Sequence, residues 1–244
     1  MTPSTPIPLA ALAALLADDT RATFCLALLD GRAWSAGELA RHAGVAPSTA
    51  SEHLSQLVGG GLLAEERQGR HRYVRLAGPG VARLVEDLAA HAAHTGPGTA
   101  VARPATLRAA SAARALAGAR TCYDHLAGRL GVTITDALTA RGLLRQDTGF
   151  ALSDEGLAWF ATELGARLPG GGRRPVARPC LDWTERRHHL AGTAGAVLCA
   201  TALERGWVSR IGSGRALKVT GAGHEALARL LGLTGPETGL TSPA

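Results

Sequence analysis

Apolar positions recur every three to four residues along most of the chain and alternate over only a few short stretches. That pattern predicts a mainly α protein with small β-wings. Leu9, Leu12, Leu15 and Leu16 make one helical stripe, and Phe24, Leu26, Leu28 and Leu29 make another. Ser35 stands three positions before Glu38 at the head of an apolar run, a capping-box spacing. Pro47 falls inside the first turn of the next helix, where its missing N–H costs little, and Gly59, Gly60 and Gly61 end that helix. Leu62 to Glu66 and His71 to Leu76 then read as the arms of a hairpin around Gln68-Gly69-Arg70. After Pro79, Val81, Leu84, Leu88 and Ala92 share one helical face as far as about His94. The Gly- and Pro-bearing stretch over 95–105 predicts a linker between an N-terminal domain, 1–94, and a C-terminal one, 106–244.

The C-terminal part repeats. DHLAGRLGVTITDALTARGLL, from Asp124, and HHLAGTAGAVLCATALERGWV, from His188, align without a gap at an offset of 64. His125, Leu126, Ala127, Gly128, Gly131, Arg141 and Gly142 all meet an identical residue in the second copy. Each copy continues into a hydrophobe, Ser or Thr, two residues and Gly: Leu152 to Gly156 and Val219 to Gly223. Copies over about 120–165 and 180–232 follow. The N-terminal module has the same marks in Leu39-Ala40, Gly44-Val45, Gly61-Leu62-Leu63 and Leu76 to Gly80. Gly44 to Gly61 is 17 positions and Gly131 to Gly142 is 11, so the first C-terminal copy is six residues shorter in the segment where the N-terminal module has its polar helix. The expected architecture is an N-terminal winged helix-turn-helix followed by two degenerate winged-helix repeats.

The full-length polar helix is the one suited to DNA. Ser48, Thr49, Ser51, Glu52, His53 and Gln56 face outward while Ala50, Leu54 and Leu57 form the inward stripe. Short polar side chains near a helix N-terminus reach base edges when that end enters the major groove. Arg67, Arg70, His71 and Arg72 on the hairpin are placed to meet phosphates or the adjoining minor groove. Glu52 suits DNA only by accepting from a cytosine amino group or by pairing with an Arg.

The stretch GELARHAGVAPSTASEHLSQLVGGGLLAEERQGRHRYVRL resembles the winged-helix core of the arsenical-resistance repressor (ArsR) family. Ser48-Thr49, Ser51, His53-Leu54, Leu57, Gly61-Leu62-Leu63, Arg67, Gly69-Arg70 and Tyr73-Val74-Arg75-Leu76 carry the resemblance, which covers about a third of the chain. It implies a homodimeric repressor that leaves a double-stranded operator when an inducer binds, with residues 8–20 and 78–94 at the dimer interface. The long C-terminal half departs from the simplest members. In metal-sensing members one site uses a Cys pair in the helix before the recognition helix; here that helix, GELARHAGV, has none. Another lies on the last helix, where this chain offers Asp87, His91 and His94 without the family's Asp-x-His start.

Composition changes the picture little. The chain has 244 residues, 46% hydrophobic and 4% aromatic, and a formal charge of +6 supplied almost wholly by Arg, so an anionic partner fits. No stretch approaches the roughly 18 apolar residues of a membrane span, and the apolar N-terminus lacks the basic start of a secretory signal. Four scattered cysteines are too few for a disulfide framework, which places the protein in the cytoplasm with reduced thiols and off the membrane.

Effector chemistry concentrates at the two repeat junctions. Arg120, Cys122, Tyr123, Asp124 and His125 precede the first repeat helix; Cys180, Asp182, Trp183, Arg186 and His189 precede the second. A small organic effector between Tyr123 and Trp183, anchored by Arg120, Asp182 or Arg186, is the favoured reading. Alternatively Cys122, His125, Cys180 and His189 complete a tetrahedral metal set if the repeats face each other, or the two thiols form a reversible disulfide. The same residues also suit helix caps and ion pairs. The cofactor stays open, with a metal ion as one option. Cys25 and Cys199 lie on apolar faces and belong to cores. An enzyme using Cys122 or Cys180 as nucleophile would need a glycine-rich nucleophile turn or a metal-hydrolase motif, and neither occurs, so no catalytic residue is assigned. A DNA-architecture protein would bind without sequence preference.

Overall fold

The computed structural model describes residues 9–68, 71–95, 107–147, 149–168, 174–212 and 214–234. The linker expected over 95–105 and Arg70 of the wing tip lie outside the described residues, apart from Thr95. The chain divides into two compact units, Met1–Glu86 and Asp87–Ala244.

The first unit is a winged helix-turn-helix. It comprises α1 (Leu9–Leu16), α2 (Asp19–Ala27), a 3-10 turn (Leu28–Asp30), β1 (Trp34–Ser35), α3 (Ala36–Ala43), α4 (Pro47–Gly59), β2 (Leu63–Gln68), β3 (His71–Leu76) and the start of α5 (Pro79–Thr95). The sheet is antiparallel in the order β1-β3-β2, with Trp34 opposite Val74, Leu63 opposite Leu76 and Gln68 opposite His71. Phe24, Leu28, Leu39, Leu54, Leu57, Leu63, Val74 and Leu76 fill its core. The Ser35–Glu38 capping box starts α3, and Gly44 ends it at φ 69°, a left-handed value that glycine adopts without strain. Asp30 is buried but accepts from the Trp34 indole N–H (2.9 Å) and from the Arg32 backbone and guanidinium (2.8 and 2.7 Å). The turn into β1 is thereby fixed by a charged acceptor that no apolar residue replaces.

The second unit opens with the remainder of α5 and α6 (Leu107–Gly118), then runs twice through one sequence of elements. The first pass is β4 (Arg120–Cys122), β5 (His125–Ala127), α7 (Gly128–Ala140), β6 (Leu144–Arg145), β7 (Ala151–Leu152) and α8 (Asp154–Glu163). The second is β8 (Arg178–Leu181), β9 (His188–Ala191), α9 (Gly192–Glu204), β10 (Val208–Arg210), β11 (Leu217–Val219) and α10 (Gly221–Leu231). Leu130, Leu138, Phe160, Leu198 and Leu227 belong to one continuous core. The repeated Ser/Thr-x-x-Gly has a mechanical cause. Ser153 and Thr220 accept from the backbone N–H of Gly156 and Gly223 (3.0 Å each) and cap α8 and α10. The glycines are required because a Cβ there would lie 3.0 Å from the Leu143 carbonyl carbon or 2.8 Å from that of Trp207.

Candidate functional site

On α4, Ser48, Thr49, Ser51, Glu52 and Gln56 are exposed and His53 is half-buried, while Ala50, Leu54 and Leu57 are fully buried. Pro47 opens the helix and Gly61, at φ 73°, turns the chain toward β2. Arg21, which carries no signal in the sequence pattern, reaches across from α2. Its guanidinium donates to Gln56 Oε1 at 2.7 Å and lies 3.3 Å from His53 Nδ1, and its other nitrogens donate to the Ala14 and Leu15 carbonyls. Two of the expected base-reading residues are thus already engaged by an Arg, which holds their rotamers.

On the wing, Arg67 is exposed and paired with Glu65 at 2.9 Å. Arg72 is more enclosed, 2.8 Å from the same carboxylate and 3.4 Å from the Ser55 hydroxyl. Glu65 therefore aligns both guanidiniums, and hydrogen bonding from Arg67, with the charge and hydrogen bond of Arg72, holds its carboxyl below the usual glutamate range against the opposing effect of burial. Arg70 and the side chain of His71 lie outside the described residues.

In the second unit the two hairpins bring four side chains together. Cys122 is the cross-strand partner of His125 in β4–β5, and Cys180 that of His189 in β8–β9. One ligand atom from each lies within 4.8 Å of the others, and all four residues are buried. The two imidazoles stack with centroids 5.0 Å apart and turn Nε2 toward Nε2 at 3.1 Å. The tight first hairpin needs Tyr123 at φ 58°, and Arg186 in the longer second loop takes φ 55°.

Behind each imidazole stands a carboxylate. Asp124 Oδ1 is 3.3 Å from His125 Nδ1, and Asp182 Oδ2 is 3.5 Å from His189 Nδ1. Asp124 is in turn clasped by Arg174 at 2.6 and 3.0 Å. Asp182 pairs with Arg120 at 2.8 Å and also accepts from the Gly128 N–H at 2.6 Å and the Thr184 hydroxyl at 2.6 Å. Burial opposes ionisation of both acids, yet His125 and Arg174 bring Asp124 down to about 2, and Arg120 with Thr184 holds Asp182 well below the usual carboxylate range. Hydrogen bonding from the Cys122 thiol, against burial and with help from both imidazoles, drives the Cys180 thiol far below its ordinary range. Burial depresses His189, opposed by Cys180. Cys25 and Cys199, by contrast, are pushed up by burial to about 11 and about 12, as suits unreactive core thiols.

The residues expected to line an organic pocket are arranged differently. Arg120 is fully buried, donating to Leu116 O and Thr184 as well as to Asp182, with Trp183 stacked 4.8 Å from its guanidinium carbon. Arg120 and Asp182 thus form an internal brace, while Arg186 is exposed and Tyr123 half-buried at the hairpin turns.

Comparisons with known proteins agree with the N-terminal architecture. A helix-turn-helix domain model matches residues 16–66. YdfF, an uncharacterized HTH-type transcriptional regulator of Bacillus subtilis, is 40% identical over 226 residues, 91% of this chain and 96% of its own. The HTH-type transcriptional regulator CmtR of Mycobacterium tuberculosis is 42% identical over 80 residues, 33% of this chain and 67% of its own. The solution structure of CmtR, described as a cadmium metal sensor, covers 33% of this chain and 82% of that one at TM-score 0.29. A homodimeric winged helix-turn-helix domain of a possible ArsR-family regulator from Mycobacterium bovis is 30% identical, covering 36% of this chain and 82% of that one at TM-score 0.34.

Proposed function

The chain belongs to the ArsR-like helix-turn-helix transcriptional regulators, and from that premise we propose that it is a homodimeric operator-binding repressor whose signal is received at the Cys122–His125–Cys180–His189 cluster. It is a regulator rather than an enzyme, as is the relative it matches along nearly its whole length. The polar, exposed N-terminal turn of α4 supports major-groove reading by Ser48, Thr49, Ser51 and Glu52, with Gln56 and His53 presented through Arg21. Arg67 serves the phosphates, with Arg72 bracing the wing beside it through Glu65 and Ser55. The dimer reading is supported by α1, whose LAALAALL sequence has no buried residue within its unit. Among the described residues no helix is long and apolar enough to cross a membrane.

Convergence of four buried ligand atoms within 4.8 Å is the observation that carries the effector reading. It favours metal or thiol chemistry over the small organic ligand that the sequence suggested, because Arg120 and Asp182 neutralise each other. Signalling requires that the effector bind the DNA-released state more tightly than the DNA-bound one. The test is fluorescence anisotropy on an operator selected from a random duplex library, with reduced protein before and after metal loading. Loading should weaken operator affinity by about 5- to 150-fold, the range of ordinary allosteric coupling. Unchanged affinity under metal loading and under thiol oxidation alike would remove the cluster from signalling.

A further inference from the structure

The donor set in the second unit is specific enough to name the class of ion. We propose that Cys122, His125, Cys180 and His189 form a closed four-coordinate site for one divalent, borderline-soft ion of the zinc class, with Asp124 and Asp182 orienting its two imidazoles. This rests on the reading of the cluster as the effector site and deepens it.

Three observations carry the proposal. The first is geometry. A tetrahedral ion with bonds of about 2.0–2.1 Å to nitrogen and about 2.3 Å to sulfur holds its ligand atoms roughly 3.3–3.8 Å apart. The two Nε2 atoms are 3.1 Å apart and the whole set lies within 4.8 Å, so sub-ångström side-chain shifts complete the figure. Each repeat contributes one Cys and one His from facing strand positions, so the ion bridges the two repeats.

The second is the shell behind the ligands. Nδ1 of each imidazole faces a carboxylate, at 3.3 Å for His125 and 3.5 Å for His189. A proton held on Nδ1 leaves the Nε2 lone pair for the ion, and both Nε2 atoms point to the common centre. His189 Nδ1 is buried and makes no hydrogen bond among the described residues, and the Asp182 carboxylate stands 3.5 Å from it, placed to take its proton. A short closure of that gap accompanies ligation.

The third is charge. Asp124 pairs with Arg174 and Asp182 with Arg120, so the carboxylates behind the imidazoles already face cations, and the two thiolates bring two negative charges to the ligated site. A divalent ion cancels them, a monovalent ion leaves one net negative charge in a buried place, and a buried unpaired charge is strongly disfavoured. Magnesium and calcium want six or more oxygens, and none is in the inner set. With all four ligands buried, no position remains for a reacting water, so the site holds its ion without catalysis.

The experiment uses the full-length protein, reduced and stripped with chelator, titrated with Co(II). One equivalent should bind, with thiolate-to-cobalt charge-transfer and the intense d–d bands of tetrahedral Co(II). One equivalent of Zn(II) should displace it, while Mg(II) and Ca(II) in large excess should not. Cys122→Ser and Cys180→Ser should each abolish or visibly alter the spectrum. Asp124→Ala should keep the tetrahedral spectrum but lower affinity by about 10- to 100-fold, and Asp124→Asn, whose amide oxygen still accepts from Nδ1, should lose less. Asp124 carries this arm because Asp182→Ala would strand the fully buried Arg120, whereas Arg174 on Asp124 is partly exposed and also donates to the Gly192 carbonyl. Absence of stoichiometric binding with four titratable thiols, or an unaltered spectrum in the double Cys variant, overturns the site. Equal losses for Asp124→Ala and Asp124→Asn, or none for either, overturn the positioning role. The site and the signalling reading fail separately. A bound ion with operator affinity unmoved by metal loading and by thiol oxidation alike refutes signalling and keeps the site, whereas no bound ion with an oxidation-sensitive operator affinity refutes the site and keeps signalling.

Discussion

A methyl group added at Gly131 would lie 2.8 Å from the Leu126 carbonyl carbon and 3.5 Å from His189 Cβ; at Gly195 it would lie 3.0 Å from the Leu190 carbonyl carbon and 3.1 Å from His125 Cβ. The arrangement is reciprocal. Each helix glycine lies tightest against the backbone of the preceding strand in its own repeat, Leu126 or Leu190, with the other repeat's histidine Cβ beside it, so the identity of these glycines at an offset of 64 reflects the same close strand–helix packing in both copies. Backbone cannot move aside as a side-chain tip can. Gly131→Ala and Gly195→Ala should therefore each lower stability in urea unfolding by about 1–3 kcal/mol, the usual cost of overpacking, and weaken Co(II) binding. Gly118→Ala, which meets nothing within 4 Å, is the control. If Gly131→Ala unfolds at the same urea midpoint as Gly118→Ala, the close approach of α7 to the Leu126 carbonyl is not as described.

At the scale of elements, the helix ends were legible because they are local. The α3 box consists of Ser35 N and Oγ donating to Glu38 Oε2, both at 2.8 Å, and the Glu38 N–H donating back to Ser35 Oγ at 3.3 Å. Backbone and then side-chain hydrogen bonds from Ser35 hold the Glu38 carboxyl below its ordinary range. A depressed folded value means the contribution is complete above the unfolded value, near pH 4.3, and is lost as pH falls through the folded one. The difference in thermal midpoint between the native chain and Glu38→Ala should accordingly be full at pH 7 and close below about pH 4. Ser35→Ala should cost about 1 kcal/mol at neutral pH. A gap that persists unchanged at pH 3 would show that the carboxylate is not the cap. The effector cluster was only half legible for the opposite reason: its pairs lie across strands. His125 and His189 align at an offset of 64, but Cys122 and Cys180 are 58 apart, because the second hairpin has six more residues between the Cys and its cross-strand His. A gapless alignment thus matches the imidazoles and hides the thiols. Arg174 on Asp124 and Arg21 on Gln56 had no sequence signal at all, since each contact joins segments 35 to 50 residues apart by shape alone.

For the whole molecule, a net charge of +6 makes DNA affinity depend on salt, and the wing decides how much of that dependence is local. Arg67 and Arg72 share one carboxylate, Glu65, but not one environment: the Arg67 side chain is 77% exposed and that of Arg72 is 24% exposed. An exposed guanidinium on a flexible stem exchanges its carboxylate for a phosphate at little cost, because surface ion pairs contribute little. Arg72, held also by Ser55, acts more as the strut that keeps Glu65 and the wing in register with α4. Arg67→Ala should therefore weaken operator and random DNA by similar factors and reduce the slope of log affinity against log salt by about one. Ser48→Ala should instead reduce the ratio of operator to random affinity and leave the slope alone, since a base-edge contact releases no counterion. Titrating both variants on both duplexes at several salt concentrations separates the two. A salt slope unchanged in Arg67→Ala would mean that the wing does not reach the phosphates, and the docking of α4 in the major groove would then need a different orientation.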